Sequence, residues 1–543
     1  MKLHQRTNLG LIQDYGINTY RALHMKEKIP TINKFIIADI SVIRDKGIGF
    51  LKGSENWPVA EEEYQEFRKY MYQQYESLMF ELEGSLFDLA LIDYKFQGAL
   101  LKIFHYNYMK NYAQKHNIEI LYGSDSQNYL KPDWKEIGKS YSSLTSCHSK
   151  LTRVVRRVIK NIIFNRHLPI YKVIYMFLSR KNYIFFGSSS NLSRKYIVKN
   201  KICCDYQDAY DVLDFNANSE GLSSQSYQDI MDRLISPYLK KLKADQPVFL
   251  EGIDVQDMEL CWGNRFKGII PAYMNIIDSN NSNKFLITEV ASAMHRILSI
   301  GYQRIGCKVF GFHHGGDFSA TILSQMHKGS MTHCKNIIVP TQGIADQYKK
   351  VYSCLKLEEV VGTKYHPVNS SKSLYKNPII SKSNKKIKNV MLVGFPMNCD
   401  KKTDERGLFF FPKISVEYKI LTMLKDLKLN TLYKAHPDRR DEVDGVFNNL
   451  VDKVIYDSFE SSWKKADVFI FTHTSTTTFA YALSTDRKIV LIDIDTNLVD
   501  KKLRKELGKR VDYVPATIDS GSTLIRFDEK KLKVIVDEDA GGN

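Results

Sequence analysis

At 543 residues the chain is too long for one ordinary core, so two domains with an insertion are expected. Its 43% hydrophobic and 26% charged residues are those of a globular protein and exclude a disordered or fibrous chain. The formal charge of +17 points to an anionic partner: nucleic acid, a membrane surface or a phosphate-bearing substrate.

The first predicted strand is "KFIIADIS" (34–41), followed by a second at "FDLALIDY" (87–94). A helix is expected through 97–116 and a third strand at "IEILYGSD" (118–125), so the first 125 residues read as β-α-β units. Between Lys150 and Lys201 stand 13 Lys or Arg and no Asp or Glu, interleaved with apolar and aromatic residues. Helical spacing puts Arg153, Arg156, Arg157 and Lys160 close to one face and Val154, Val155, Val158, Ile159, Ile162 and Ile163 on an apolar side. That pattern fits a helix lying on an anionic membrane leaflet, or an ordinary amphipathic helix with a basic solvated face.

After a helical stretch around 205–243, "PVFLEGID" (247–254) reads as a short strand delivering Glu251 at its end. "GCKVFGFHHGGDFS" (306–319) repeats the design, running a strand into His313, His314, Gly315, Gly316 and Asp317. A further strand is "CKNIIVPT" (334–341), and the Ser-, Lys- and Asn-rich stretch that follows reads as a linker. Beyond it, apolar runs at 388–396, 430–437, 453–457, 466–475 and 487–495 alternate with helical spacers, as in a doubly wound domain.

Eight cysteines show neither a CxxC pair nor Cys/His ligand spacing, so no zinc site or disulfide framework is expected, and the expected compartment is the cytoplasm. The N-terminal "MKLHQRTNLGLIQDYG" lacks the apolar core of a signal peptide.

Ligands of open parallel sheets sit beyond the carboxyl ends of the strands. Two motifs fall there. "YKAHPDRR" (433–440) offers His436, Pro437 and Arg439; "THTSTTTF" (472–479) offers Thr474, Ser475, Thr476 and Thr477 at a helix start, where free N–H groups favour an anion. Taken singly, Thr474 or Ser475 also reads as a plain N-cap and His436 as a turn histidine. No P-loop or GxGxxG follows a strand, which removes support for ATP hydrolysis and dinucleotide redox chemistry.

With "HHGG" after an N-terminal strand, a linker, then "KAHP" and "THTSTTTFAYAL", the chain resembles a GT-B fold glycosyltransferase. Within that class it resembles bacterial enzymes that build surface polysaccharides from CMP-activated sugars, including sialyltransferases and Kdo transferases. The resemblance implies an α/β protein with two Rossmann-like domains facing a cleft and a basic helical insertion at 150–201. The boundaries are an acceptor-side domain over 1–345, a linker over 346–387 and a nucleotide-sugar domain over 388–543. It implies nucleotide contacts from His436, Pro437, Thr474, Ser475, Thr476 and Thr477, and no metal or resident cofactor. The catalytic candidates are Glu251, His314 and Asp317, with His313, Gly315 and Gly316 lining the substrate. The expected partners are a nucleotide-sugar donor, a glycan or glycolipid acceptor and an anionic membrane surface, without nucleic acid. The expected place is cytoplasmic, peripheral at the inner leaflet. Three other readings stay open: a polyol-phosphate transferase of teichoic-acid type, a UDP-sugar epimerase of the same fold, and a basic nucleic-acid-binding protein.

Overall fold

Short runs of Val, Ile, Leu and Phe bounded by Gly, Asn and Asp form the strands of this protein, and the helices between them bury one face each against the sheets. The computed structural model describes residues 35–38, 40–53, 61–124, 150–169, 183–213, 222–251, 254–288, 293–312, 333–352, 360–368, 387–394, 410–436, 440–474, 476–494, 501–518 and 525–537.

Three sheets are present among the described residues. The first is a parallel pair, β1 (Phe35–Ile37) and β2 (Glu119–Leu121). The second takes β3 (Tyr183–Phe186), β4 (Cys204–Gln207), β5 (Lys284–Ile287), β6 (Lys308–Phe312), β7 (Asn336–Val339) and β8 (Lys364–Pro367) in the order β4-β3-β5-β6-β7-β8, all parallel. The third takes β9 (Asn389–Val393), β10 (Asn430–Lys434), β11 (Lys453–Ile455), β12 (Val468–Phe471), β13 (Lys488–Ile494), β14 (Asp512–Ile518) and β15 (Ile525–Phe527). Its order is β11-β10-β9-β12-β13-β14-β15, parallel apart from the last pair. Counted from β9, that is the 3-2-1-4-5-6 order of a Rossmann sheet with β15 added at the edge, whereas the six-stranded sheet has the 2-1-3-4-5 order of the flavodoxin type with β8 added at its edge. The protein is therefore an α/β protein with two Rossmann-like parallel sheets in succession, the GT-B plan.

The helices that bear on function are α1 (Ile40–Lys46), α2 (Gly84–Ile92), α3 (Gly98–His116), α4 (Lys150–Asn165), α5 (Val255–Ile277), α6 (Ala293–Arg304), α7 (Gln342–Tyr352), α8 (Phe410–Asp426), α9 (Arg440–Val443) and α10 (Thr477–Ala482). The two halves touch where α1 packs against α9, the short helix that follows the His436 loop.

Several expected elements differ. "FDLALIDY" is helix α2 with its cap, not a strand. Its residues are apolar at nearly every position, so no period distinguishes a buried helix from a buried strand; Leu and Ala decide for the helix. Asp93, which ends it, is buried and accepts from Trp262 Nε1 at 3.0 Å and from Arg265 at 3.0 and 2.5 Å. Arg296 meets the open carbonyls of Leu91 and Ile92 at 3.2 and 3.3 Å. The pair Asp93–Arg265 thus ties α2 to α5 and has a structural task.

The described part of "PVFLEGID", residues 247–251, is a turn rather than a strand. The Asn107 amide on α3 donates to the carbonyls of Phe249 and Glu251 at 2.7 and 3.1 Å, and Phe249 packs on Phe104 with ring centroids 4.3 Å apart. A side-chain amide here takes the place of a sheet ladder. The expected linker, 346–387, also shrinks: α7 runs across its start, β8 falls inside it, and β8 closes the second sheet on β7. Ser and Lys in that stretch are concentrated in residues 369–386, which lie outside the described residues.

Candidate functional site

In a doubly wound sheet the ligand crevice opens where the chain reverses its direction of winding. In the third sheet, β9, β10 and β11 wind outward and β12 returns to the other side of β9, so the crevice lies beyond the carboxyl ends of β9 and β12. The loops after β10 and β12 were expected on neighbouring strands; they flank β9 instead, because the chain crosses back over that strand.

Three short segments end at this crevice: Gly394 after β9, His436 after β10, and Thr472, His473 and Thr474 after β12. Gly394 donates its N–H to the Lys434 carbonyl at 3.0 Å. A Cβ on Gly394 would stand 2.1 Å from the Tyr433 hydroxyl oxygen, so this position must lack a side chain for Tyr433 to sit where it does. Buried Tyr433 donates to Glu417 Oε2 of α8 at 2.8 Å. One turn earlier on α8 stands Lys413, also buried.

His473 joins the loops. Burial, with the Lys413 ammonium and the His436 ring acting on it, holds its imidazole well below the ordinary value, so the ring is neutral at pH 7. Its Nδ1 lies 3.3 Å from Thr472 Oγ1. Lys413, Glu417, Tyr433, His436 and His473 therefore form a polar, titratable cluster at the switch point, the type of setting where perturbed groups mark function. By the alternation of β10, Lys434 points to the face opposite Tyr433. Burial pushes its ammonium down to about 8 against the pull of Glu460 and Asp457, and Nζ donates to the Ala435 carbonyl.

The hydroxyl row behaves less uniformly than expected. Thr476 is the N-cap of α10: its Oγ1 accepts from Phe479 N at 3.0 Å, so that hydroxyl serves the helix. Thr474 is buried, and its carbonyl accepts from Thr476 N at 2.8 Å. Thr477 opens α10 and is exposed. Pro437, Arg439 and Ser475 lie outside the described residues. His473, Lys413 and Glu417 were not singled out from the sequence. A charged pair at i and i+4 within "FFPKISVEYK" was the available signal, but spacing alone does not say which face of α8 turns inward.

The second sheet has its own switch point, between β3 and β5, and it too went unnoticed in the sequence. Gly187 follows β3 at φ +92°, and a Cβ there would lie 2.3 Å from Thr288 Oγ1. Thr288 Oγ1 donates to the carbonyls of Phe186 and Ser188 at 3.2 and 2.8 Å, fastening the end of β5 to the end of β3. "GSSSNLS" then enters a helix at Asn191 through a reciprocal cap, Ser190 Oγ accepting from Ser193 N at 3.1 Å and Ser193 Oγ from Ser190 N at 3.0 Å.

Of the residues expected on the acceptor side, Glu251 is exposed on the turn held by Asn107, so it lacks the strand-end position on which its expected role rested. His313, His314, Gly315, Gly316 and Asp317 follow β6 directly and lie outside the described residues. On the basic helix α4, the side chains of Arg153 and Arg156 also lie outside them. Arg157 pairs with Asp205, and Lys160 donates to Tyr206 Oη at 2.5 Å with its ammonium 4.0 Å from that ring centroid. These two cations face β4, not a free basic surface. No helix among the described residues is long and apolar enough to cross a membrane.

No protein-family model matches this chain. No curated protein matches it either. Among solved structures, it is similar to the crystal structure of Methanocaldococcus jannaschii UDP-GlcNAc 2-epimerase in complex with UDP-GlcNAc and UDP. That likeness has 10% sequence identity and a TM-score of 0.35, over 65% of this chain and 92% of the other. A likeness of that size carries no weight for function; the strand order and the cluster at its switch point do.

Proposed function

We propose that this protein is a GT-B enzyme acting on a nucleotide-activated sugar, with the nucleotide phosphate seated at the switch point of the third sheet. In the fuller form of this reading it transfers a nonulosonic acid of the Kdo or sialic type from CMP to a glycan or glycolipid acceptor at the inner leaflet of a membrane. The observation that supports it is the convergence of His436 and buried Lys413 on the part-buried His473 beside Gly394. Imidazole and ammonium groups in a crevice of low dielectric stabilise a phosphate oxygen far better than they would in water.

In this reading the acceptor oxygen attacks the anomeric carbon while the bond from that carbon to the phosphate oxygen breaks. The electron pair departs with CMP, and the acceptor proton passes to a base. His436 and Lys413 meet the charge that develops on the leaving phosphate. His314 and Asp317, which follow β6 at its carboxyl end, are the proposed sources of the base; Glu251, exposed on its turn, has lost the ground for that role. The reading invokes no metal and no resident cofactor.

The test is a thermal-shift screen of the intact protein with CMP, CDP, UDP and GDP. Selective stabilisation by CMP is expected, about 2.7 kcal/mol at a hundred-fold excess over Kd. A shift with UDP alone replaces the transferase with an epimerase-type reading. A shift with CDP alone favours the polyol-phosphate transferase. Salt-sensitive oligonucleotide binding with no nucleotide shift ends the proposal.

A further inference from the structure

Three strands of the second sheet begin with a lysine: β5 at Lys284, β6 at Lys308 and β8 at Lys364, all with exposed side chains. Lys284 and Lys308 are direct partners on neighbouring strands, about 4.8 Å apart, where like charges repel. Both are held on one face of the sheet over aromatic rings, Lys284 Nζ 5.3 Å from the Tyr183 centroid and Lys308 Nζ 5.2 Å from that of Phe310. Among the described residues none of the three lysines forms an ion pair. Their repulsion weakens the sheet unless an anion lies among them.

His366 belongs to the same group. It stands two residues after Lys364, hence on the same face of β8, and its ring centroid lies 6.1 Å from that of Phe310. Burial, Lys308 and Lys364 hold its imidazole below the ordinary value, so the fields of both ammonium groups reach it. Asn336 sets its tautomer. The Asn336 Nδ2 donates to the Val309 carbonyl at 3.2 Å, so Oδ1 faces the ring and His366 Nε2 donates to it at 3.0 Å. Nδ1 is then the nitrogen that takes up a further proton, and the ring is oriented in advance to donate to an anion. From the helix Asn191–Lys199 packed on this face, the Tyr196 ring lies 6.1 Å from Phe310 and Lys199 donates to the Val368 carbonyl; neither brings a negative charge at pH 7.

We infer that Lys308, Lys364 and His366, flanked by Lys284, form a second anion seat, for a doubly charged tetrahedral group of the phosphate-monoester type. It lies on the second sheet, toward the amino ends of the strands, whereas the crevice of the functional reading lies on the third sheet at the carboxyl ends. The inference therefore goes beyond that reading and does not rest on it. Two ammonium groups and an imidazole that gains a proton suit a dianion, and a lone carboxylate would leave part of the repulsion in place. Phe310 is buried beneath the cations and offers no face on which a base could stack, unlike a groove for single-stranded nucleic acid.

Sulfate is the probe, because its charge stays constant over the pH range in which a histidine titrates. Calorimetric titration is made on the full chain carrying His436→Ala, which removes the phosphate donor proposed for the third sheet, so the outcome is read separately from that proposal. One sulfate per chain is expected, bound more tightly at pH 6 than at pH 8. Lys308→Gln with Lys364→Gln is expected to weaken binding by about ten-fold or more. His366→Gln should keep binding at pH 8 and lose its strengthening at pH 6. The lysine pair should also raise the urea midpoint in sulfate-free buffer by relieving the repulsion, whereas a merely structural role would lower it. Lys240→Gln with Lys243→Gln, on the helix Ser236–Asp245, removes the same charge elsewhere and should leave sulfate binding intact. Flotation with vesicles containing phosphatidic acid, set against displacement of sulfate by inorganic phosphate, tells a lipid headgroup from a soluble phosphate as the source. No sulfate binding, equal binding in the Lys308 and Lys364 variant, or an equal loss in the Lys240 and Lys243 variant overturns the inference. Oligonucleotide binding through the same lysines without sulfate binding overturns it as well.

Discussion

The switch points of the two large sheets occupy equivalent places and carry opposite chemistry. Between β3 and β5 the chain holds neutral groups, the hydroxyls of Ser190 and Thr288 and the carbonyl of Ser188, fixed around a glycine of positive φ. Between β9 and β12 it gathers two part-buried histidines with a buried lysine and a buried glutamate, beside a glycine that admits a tyrosine. Winding dictates where a crevice opens, and the residues at the strand ends dictate what it can hold. The neutral crevice has the donors and acceptors suited to a polyhydroxylated group, and the titratable one suits an anion whose charge changes during reaction.

The largest expected effect breaks the charged side of that comparison. His436→Ala is predicted to abolish the CMP-induced thermal shift and to lower transfer by about 100- to 1,000-fold, the cost of one donor to a developing oxyanion. Ser188→Ala, at the neutral crevice, should leave the CMP shift intact and raise the acceptor KM. Transfer kinetics with both variants decide the matter. If His436→Ala turns over normally, or if Ser188→Ala is the variant that loses CMP, the division of labour between the sheets is wrong.

The two glycines come next, and they should respond differently to a second substitution. Gly394→Ala and Gly187→Ala are each expected to lower the urea midpoint by the equivalent of about 1–3 kcal/mol. At Gly394 the added carbon meets Tyr433, whose Cζ would still be 2.4 Å away after the hydroxyl was removed, so Tyr433→Phe should not restore stability. At Gly187 the closest atom is Thr288 Oγ1, and the backbone oxygen follows only at 3.1 Å. Thr288→Ala should therefore recover part of the loss, leaving the strain of a φ near +92°. Equal rescue at both positions would show that a general loosening, not the particular neighbour, sets the cost.

How much of this was legible in the sequence follows from how each element is buried. β9, β10, β12 and β13 are buried on both faces, and their largely apolar runs locate their starts to within two residues, while the expected ends of β9, β10 and β12 overshoot by three or four because the loop residues that follow continue the pattern. The same logic misplaces α2, since a helix buried all round is written in the same residues. The chain order of the motifs brings His436 into view but not the strand order, so the intervening β9 and its Gly394 escape notice. His473 sits inside a motif that drew attention for its hydroxyls. Its importance comes from Lys413 and His436, groups 60 and 37 residues distant in the chain that only tertiary packing brings to bear on it. The edge of β4 is the plainest case: Asn161 and Asn165 read as polar positions on a wheel, and nothing local announces that they replace a neighbouring strand.

The smallest expected effect concerns pH and sharpens the comparison through one histidine in each half. His473, held well below the ordinary imidazole value by burial, Lys413 and His436, stays neutral in the folded state while the unfolded chain takes up a proton below about pH 6.5. The unfolded state then binds more protons, so the stability present above that pH is lost as pH falls, by up to about 1.4 kcal/mol per unit until the folded ring itself titrates. His366 on β8 is shifted the same way by burial, Lys308 and Lys364, but it is half-buried and hydrogen-bonded to Asn336 at 3.0 Å, so its share should be smaller. Urea midpoints at pH 7.5 and 5.5 are expected to lie closer together in His473→Gln than in the wild type, with His366→Gln in between. Because a bound phosphate favours the protonated ring, CMP binding near pH 6 should also take up a proton, measurable as a buffer-dependent heat that His473→Gln diminishes and His366→Gln leaves alone. Equal pH slopes in all three proteins would place the His473 ring in contact with water and remove the low-dielectric crevice on which the charged half of the comparison depends.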